Sequence, residues 1–399
     1  MTGVIPTDPF TSTGATDRHV IYDALVGEGP VHRFPMPNGV EGWLVTGYAA
    51  ARAAMADPAL VKGGPGHGPY TGQLPPDIAA AIDHHLLTLD PPDHTRLRTL
   101  VSAAFTRRRC ELMGPRVQEL TDELIAGFAD ADEVDLVSAF AYPLPISVIC
   151  ELLGIPDPDR DAFRAWTGPL VVGGMAGFEA YSRAAVGLVG YLRELLERKR
   201  REPADDLLSA LVAVRDGGDG LTEDELTSMV FLLLVAGHET TVNLIANGML
   251  ALLDHPRQLA DLRAHPERTA RAVEELLRYD PPLQSTIPMI SATATEIAGT
   301  PIPAGELVVV STMAANRDPA RRPGAGCLDL ARADTAHLSF GHGVHHCLGA
   351  PLARLEGRIA LRALVTRFPG MRLAVPTDEL TRPPGLLMNG LNELPVRLR

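Results

Sequence analysis

The chain reads as a mainly α protein with small β pieces, and three observations carry that reading. Apolar residues recur at helical spacing over about 112–129, 178–201, 222–254, 266–279 and 350–368. Strand-like stretches are few and short: Gly39–Tyr48 and Glu296–Ser311 read as hairpin-like pairs, and the tail near Leu386–Leu398 as a third. No linker or internal repeat divides the chain, so residues 1–399 are expected to form one large helical domain.

With 399 residues and 46% hydrophobic content the chain can bury a large core. Its longest uninterrupted apolar run, Met229–Gly237, falls far short of the roughly 20 residues a membrane span needs. No charged-then-apolar leader opens the sequence, so a cytoplasmic protein with no membrane partner is expected. A net charge of −13 argues against nucleic acid and for a small molecule or another protein as partner. The cysteines at 110, 150, 327 and 347 show no framework spacing, which fits a reducing compartment. Lys62 and Lys199 are the only lysines in a chain rich in arginine, alanine, proline and glycine, a bias of high-G+C bacterial genomes.

The segment from 222 justifies the longest helix. Thr222-Glu-Asp-Glu225 is a capping box, the threonine side chain accepting from one orphan N–H while the glutamate reaches back for another. No proline follows until Pro256, so the helix could run about 32 residues, roughly 48 Å at 1.5 Å per residue. In its middle lies the polar patch Ala236-Gly-His-Glu-Thr-Thr241. Two readings stand: a glycine-permitted close crossing with hydroxyls bonded to the preceding turn, or a weak point at which the helix opens to water or a ligand.

The last helix is justified by Cys347. Leu-Gly-Ala-Pro351 follows it, then apolar residues at 352, 355, 359 and 363, ending at Phe368-Pro-Gly. Proline belongs in a first helical turn, where its missing N–H is an orphan anyway. Cys347 therefore lies just before a helix N-terminus, where free N–H groups and the positive dipole end favour a thiolate, the form that ligates metal. Gly341, Gly343 and Gly349 allow tight turns and a close backbone approach to something flat and large. A zinc site would want a second Cys or His pair at a recognisable distance. None exists; His342, His345 and His346 are close in sequence to Cys347 and surround a tetrahedral ion poorly, so one axial thiolate to a haem iron fits better.

The stretch Phe340–Gly349 resembles the haem-binding loop of the cytochrome P-450 family, Phe-x-x-Gly-x-(His or Arg)-x-Cys-x-Gly, at Phe340, Gly343, His345, Cys347 and Gly349. The patch at 236–241 resembles that family's oxygen-activating motif, and Glu275-Leu-Leu-Arg278 its Glu-x-x-Arg motif. The soluble bacterial members are similar over essentially the whole chain. The resemblance implies a cytochrome P-450 fold, with haem between the long central helix and the cysteine helix. It implies haem b with Cys347 as axial thiolate and metal ligand, and cofactor contacts from His94, Arg98, Ala236, Gly237, Phe340, Gly341, His345, Cys347 and Gly349.

By the same resemblance Thr240 and Glu239 would be catalytic, Thr240 holding dioxygen and water and Glu239 relaying protons from solvent. Glu275 and Arg278, three apart, share a helix face and could be a solvated pair; the family uses them as a buried brace behind the haem, completed by a later arginine. Alignment places that arginine at Cys327, leaving Arg321 or Arg322 as substitutes. His94 and Arg98, four apart in Asp93-His-Thr-Arg-Leu-Arg98, suit two donors aimed at propionates, or a basic exposed face. A further propionate arginine would fall at Met289. His84 and His85 read as loop surface, and Cys110 and Cys150 as inert core.

The expected reaction is hydroxylation or epoxidation of a bulky apolar molecule with O2 and two electrons. No flavin, nicotinamide or iron–sulfur motif occurs in the chain, so a ferredoxin and ferredoxin reductase are implied as partners. Arg107, Arg108, Arg109, Arg354 and Arg358 are candidates for the dock. The pocket is expected to draw on the loop at 63–72, on 170–175, and on the stretches holding Val235, Leu283, Ile287 and Leu387. Their aliphatic character suits a macrolide or other polyketide, a terpene or a steroid of bacterial secondary metabolism. The alternatives are a non-catalytic haem-thiolate sensor or carrier, a peroxide-driven relative, and a zinc protein.

Overall fold

The capping box forms as expected: the Glu225 N–H donates to Thr222 Oγ1 at 3.1 Å and the Thr222 N–H to Glu225 Oε2 at 2.8 Å. The helix it opens spans Glu223–Asp254, 32 residues, and is here called the central helix. Its length and apolarity would suffice to cross a membrane, yet 67% of its most apolar window is buried within the fold, as in a core helix. The computed structural model of the chain describes residues 8–37, 39–64, 70–156, 160–216 and 220–399.

The other long periodic segments are helices at Gly114–Phe128, Phe178–Arg201, Thr269–Tyr279 and Ala350–Arg367. The segment read from 266 begins as a short 3-10 turn, Pro266–Arg268. Short strands fill in the rest: β1 Val31–Pro35, β2 Glu41–Val45, β3 Leu60–Val61, β4 Glu133–Asp135, β5 Met289–Ser291, β6 Thr295–Ile297, β7 Thr300–Ile302, β8 Leu307–Val310, β9 Arg372–Leu373 and β10 Pro395–Arg397. They pair as β1-β2-β8-β5-β3, β4-β10-β9 and β6-β7.

Two hairpin expectations are corrected. Gly39–Tyr48 holds one strand, not two; its partner β1 lies upstream, with Val31 opposite Val45 and Pro35 opposite Glu41. The tail does not fold on itself: β10 pairs with β4 and β9, while Met388 forms a bridge to Leu283. Of Glu296–Ser311, residues 296–302 do belong to the β6-β7 hairpin, which begins at Thr295.

The chain divides into two compact units, Met1–Leu60 with Gly114–Leu144 and Thr240–Arg399, and Val61–Met113 with Pro145–Glu239. In the first, the larger sheet carries apolar groups on both faces by the period-two alternation of strands. Leu44 and Val309 join Phe10, Tyr22 and Phe34 on one face; Val45, Val308 and Val310 join Met289 and Ile302 on the other. The cysteine helix Ala350–Arg367 crosses the C-terminal half of the central helix at Gly357, where a Cβ would stand 2.8 Å from Leu244 Cδ2 and 3.6 Å from Val273. In the second unit the apolar stripe Leu188, Val189, Leu192, Leu195 and Leu196 of helix Phe178–Arg201 is buried.

Candidate active site

Cys347 sits in an exposed loop three residues ahead of the cysteine helix, whose first turn carries Pro351. The loop is shaped by its own backbone: the Cys347 N–H donates to the Phe340 carbonyl at 2.8 Å, and the Gly341 N–H to Leu338 at 2.8 Å. Gly341 and Gly343 have φ of +73° and +74°, a region costly to any residue with a Cβ. At Gly343 space is lacking as well, since a Cβ would lie 2.8 Å from the Met55 carbonyl oxygen. Phe340, Gly341, His345, Cys347 and Gly349 therefore share one turn, with His345 and Gly349 half-buried. His342 accepts from Arg52 Nε at 3.2 Å, so it faces the surface and not the sulfur.

One thiol is what this loop offers to a metal. Among the described residues no group of three or more His, Cys, Asp or Glu side chains could hold an ion. A lone exposed thiol before a helix N-terminus, flanked by glycines, fits an ion that brings its own equatorial ligands, as haem does.

Behind the loop, Glu275 and Arg278 are fully buried and paired through both carboxylate oxygens, Arg278 Nε to Oε2 at 2.7 Å and Nη2 to Oε1 at 2.8 Å. Arg278 also donates to the Asn316 carbonyl at 3.0 Å. The Asn316 side chain accepts from the Leu338 N–H at 2.7 Å and donates to Ser339 Oγ at 2.9 Å. The ion pair thereby reaches the residues immediately before Phe340. The solvated-pair reading of Glu275 and Arg278 does not hold.

The brace's third cation is Arg332, which corrects the expectation of Arg321 or Arg322. Its Nε donates to Glu275 Oε1 at 3.1 Å and its Nη2 to the carbonyls of Gly324 and Cys327 at 3.0 and 3.1 Å. Arg321 pairs with Asp334 at 2.7 Å instead, and Arg322 donates to the carbonyls of Asp334 and Ala336. Sequence offered one signal, three arginines in one loop, and no means of ranking them.

Arg354 is also committed. It donates to both Glu274 oxygens, at 2.7 and 2.9 Å, and its guanidinium lies 4.4 Å over the Phe340 ring. Burial pushes the Glu274 carboxyl up, but bonds from His337 and Arg354 outweigh it and hold the group down at about 2.

The central helix is buried on either side of its middle, over 225–231 and 241–252, whereas Val235, Ala236, Gly237, Glu239 and Thr240 are half-buried. The close-crossing reading finds support, since a Cβ on Gly237 would stand 2.9 Å from Ile149 Cδ1, while the helix itself runs unbroken through the patch. His238 is wholly buried, its Nδ1 2.7 Å from the Leu234 carbonyl and its Nε2 3.3 Å from Glu239 Oε1.

In helix Asp93–Ala104, His94 is buried and Arg98 half-buried, so the fully exposed basic face is excluded for His94. Burial lowers the His94 pKa and the Arg98 cation lowers it further, against Asp90. Arg96, between them, pairs with the capping residue Glu225. Met289 is buried in β5 within an apolar cluster, so the position offers no polar contact.

Leu283 and Leu387 are neighbours, the Gln284 N–H donating to the Leu387 carbonyl at 2.8 Å; both are half-buried, as is Ile287. Of the glycine-rich loop at 63–72, residues 65–69 lie outside the described residues. Residues 170–175 lie in helix Arg160–Val172 and the turn Gly173–Ala176. The surface-loop reading fails for His85, which is buried, stacked on Phe231 at an interplanar angle of 3° and pushed down by burial to about 4.

Comparison with known proteins agrees with this geometry. The family model described as Cytochrome P450 matches residues 178–390. The vitamin D(3) 25-hydroxylase of Pseudonocardia autotrophica is 45% identical over 403 residues, spanning all of this chain and 98% of that protein. The 6-deoxyerythronolide B hydroxylase of Saccharopolyspora erythraea is 46% identical over 369 residues, spanning 90% and 91%. The solved structure of the tirandamycin C-bound P450 monooxygenase TamI is similar with a TM-score of 0.88 at 43% identity, covering 96% of this chain and 98% of that one. With so much of each sequence shared, the chain belongs to the cytochrome P450 family of monooxygenases.

Proposed function

We propose that this chain oxygenates a bulky, mostly apolar small molecule of the macrolactone, polyketide, terpene or steroid type, on haem b held by Cys347. The observation that carries the reading is the exposed Cys347 thiol ahead of a helix N-terminus, together with a central helix that is half-buried at Val235, Ala236, Gly237, Glu239 and Thr240 and buried over 225–231 and 241–252. When bound, the haem supplies dioxygen activation, the thiolate pushing electron density to favour O–O cleavage. The chain supplies the rest. His94 and Arg98, with His345, would hold the propionates, His94 through a ring N–H and Arg98 as a fixed cation. Gly341, Gly349, Ala236 and Gly237 keep backbone close to the macrocycle, and Phe340 is fixed by Arg354.

Glu239, with its side chain 19% exposed, takes a proton from the solvent side, and the Thr240 hydroxyl orients the water that receives it. Val235, Leu283, Ile287 and Leu387 offer aliphatic surface with no charged anchor, which supports an apolar substrate. The named substrates of the relatives, vitamin D(3) and 6-deoxyerythronolide B, are large and mostly apolar, and that likeness supports the same class here. No disulfide joins the four cysteines, which supports a reducing, cytoplasmic setting. Electrons come from a ferredoxin and its reductase, with Arg107, Arg108 and Arg358 exposed for an acidic partner and Arg354 withdrawn by Glu274.

A spectral titration of the holoenzyme against macrolactones, steroids, terpenes and small polar acids tests the substrate class. Displacement of water from the iron by one of the first three groups is expected; a response confined to the polar acids overturns it.

A further inference from the structure

His85 lies in the turn between helices Pro76–Asp83 and Asp93–Ala104, and no role above uses it. Its backbone is held on both sides: the His85 N–H donates to Thr88 Oγ1 at 3.4 Å, and its carbonyl accepts from the N–H groups of Thr88 and Leu89 at 3.1 and 3.2 Å. The ring is fixed as well, stacked on Phe231 with 3° between the planes, and its Nδ1 accepts from the Leu87 N–H at 3.3 Å. A backbone N–H only donates, so Nδ1 is bare; burial holds the ring's pKa at about 4, so at pH 7 its one proton sits on Nε2. Among the described residues nothing accepts from that Nε2–H. In a residue only 6% exposed, such a donor is costly until an acceptor meets it.

The helix face on which His85 stacks leads to the proton relay. Phe231, Val235 and Glu239 are spaced four residues apart and share one face of the central helix. Eight residues at 1.5 Å each put Phe231 about 12 Å along the axis from Glu239.

We propose that His85 is a specificity-determining residue, donating its Nε2–H to a carbonyl oxygen at the end of the substrate remote from the carbon oxygenated. The inference rests on the substrate reading above and narrows it to an elongated apolar skeleton whose acceptor oxygen lies on the order of 10 Å from that carbon. The parallel faces of His85 and Phe231 suit a rigid, flat skeleton, and a steroid ketone meets both demands.

The test is a spectral titration of the holoenzyme with four probes of one skeleton: androstanedione, androstan-3-one, androstan-17-one and oxygen-free androstane. The natural chain should bind the dione and at least one monoketone about five- to tenfold more tightly than androstane, the worth of one net hydrogen bond. His85→Phe keeps an aromatic ring against Phe231 and removes the donor, so it should erase that preference without weakening androstane. His85→Gln, whose amide nitrogen reaches the Nε2 position, should restore part of it, and an unshifted carbon monoxide spectrum certifies the fold of each variant. In 15N-histidine-labelled protein, in the diamagnetic reduced, carbon monoxide-bound form, the ring resonance that His85→Gln lacks should show a bare Nδ1. Its protonated Nε2 should move with the dione and not with androstane. A ring protonated on Nδ1, or a ketone preference that survives His85→Phe, overturns the inference and leaves the substrate class standing. No ketone preference in the natural chain, or no response to any of the four probes, overturns it too, and the macrolactone and terpene titrations then decide the class. A response to polar acids alone overturns both.

Discussion

Arg332 is the residue on which the described brace is most open to attack. Its side chain is 12% exposed and its guanidinium touches Glu275, whose side chain is fully buried. Replacing it by methionine removes one charge-assisted hydrogen bond to that carboxylate, a contact worth ~1.5–3 kcal/mol. The bonds to the Gly324 and Cys327 carbonyls are replaced by water at little further cost, and Arg278 keeps Glu275 paired. The loss expected is roughly 2–3 kcal/mol. Unfolding entropy near 2.1 cal/mol/K per residue gives about 0.8 kcal/mol/K for 399 residues, so Tm should fall by about 3 °C. Arg321→Ala is the control: an exposed pair with Asp334, worth ~0.2–1 kcal/mol, should cost about 1 °C or less. Glu275→Gln should cost more than either, ~3–5 kcal/mol, because it strands the buried Arg278 cation. The assay is thermal loss of haem absorbance. An Arg332→Met curve that overlays Arg321→Ala would refute the assignment of the third cation.

Two further perturbations follow from the loop. Gly343→Ala should lower haem per protein sharply, since a positive φ and the Met55 oxygen at 2.8 Å both oppose a Cβ; Gly341→Ala, with the nearest atom at 3.6 Å, should carry the conformational cost alone, ~1–2 kcal/mol. Equal haem loss in the two, read as absorbance per protein, would contradict the close approach. The Glu274 carboxyl, held at about 2, contributes stability that is complete above its ordinary value of ~4.5 and is lost as pH falls toward 2. The stability difference between the natural chain and Glu274→Gln should therefore shrink across that window in acid denaturation, and a constant difference would rule the ion pair out.

Legibility in the sequence followed periodicity. The helix Phe178–Arg201 and the cysteine helix repeat apolar residues over several turns, and the central helix announces its start by a capping box, so their ends lay within a residue or two of expectation. The strand β1 was hidden because His32, Arg33 and Pro35 interrupt its alternation, and only pairing with β2 makes it a strand. Arg332 was hidden for a different reason: it reaches Glu275 across 57 positions, in a loop where no period orders side chains. His85 was misread because a histidine pair after a helix end looks solvated, while stacking on Phe231 buries one ring of the two. The haem loop was legible because its demands are local: a thiol, glycines at positive φ, and a helix that begins beyond them.

The proposed function stands on Cys347 alone supplying the chain's bond to the iron. The reduced carbon monoxide complex of the natural chain and of Cys347→Ser, measured at equal haem, tests it most directly. The natural chain should absorb at the thiolate-type position, and the variant should lose that band without loss of the helical fold. A thiolate-type band that survives in Cys347→Ser, or its absence from the natural chain at full haem occupancy, would contradict the claim.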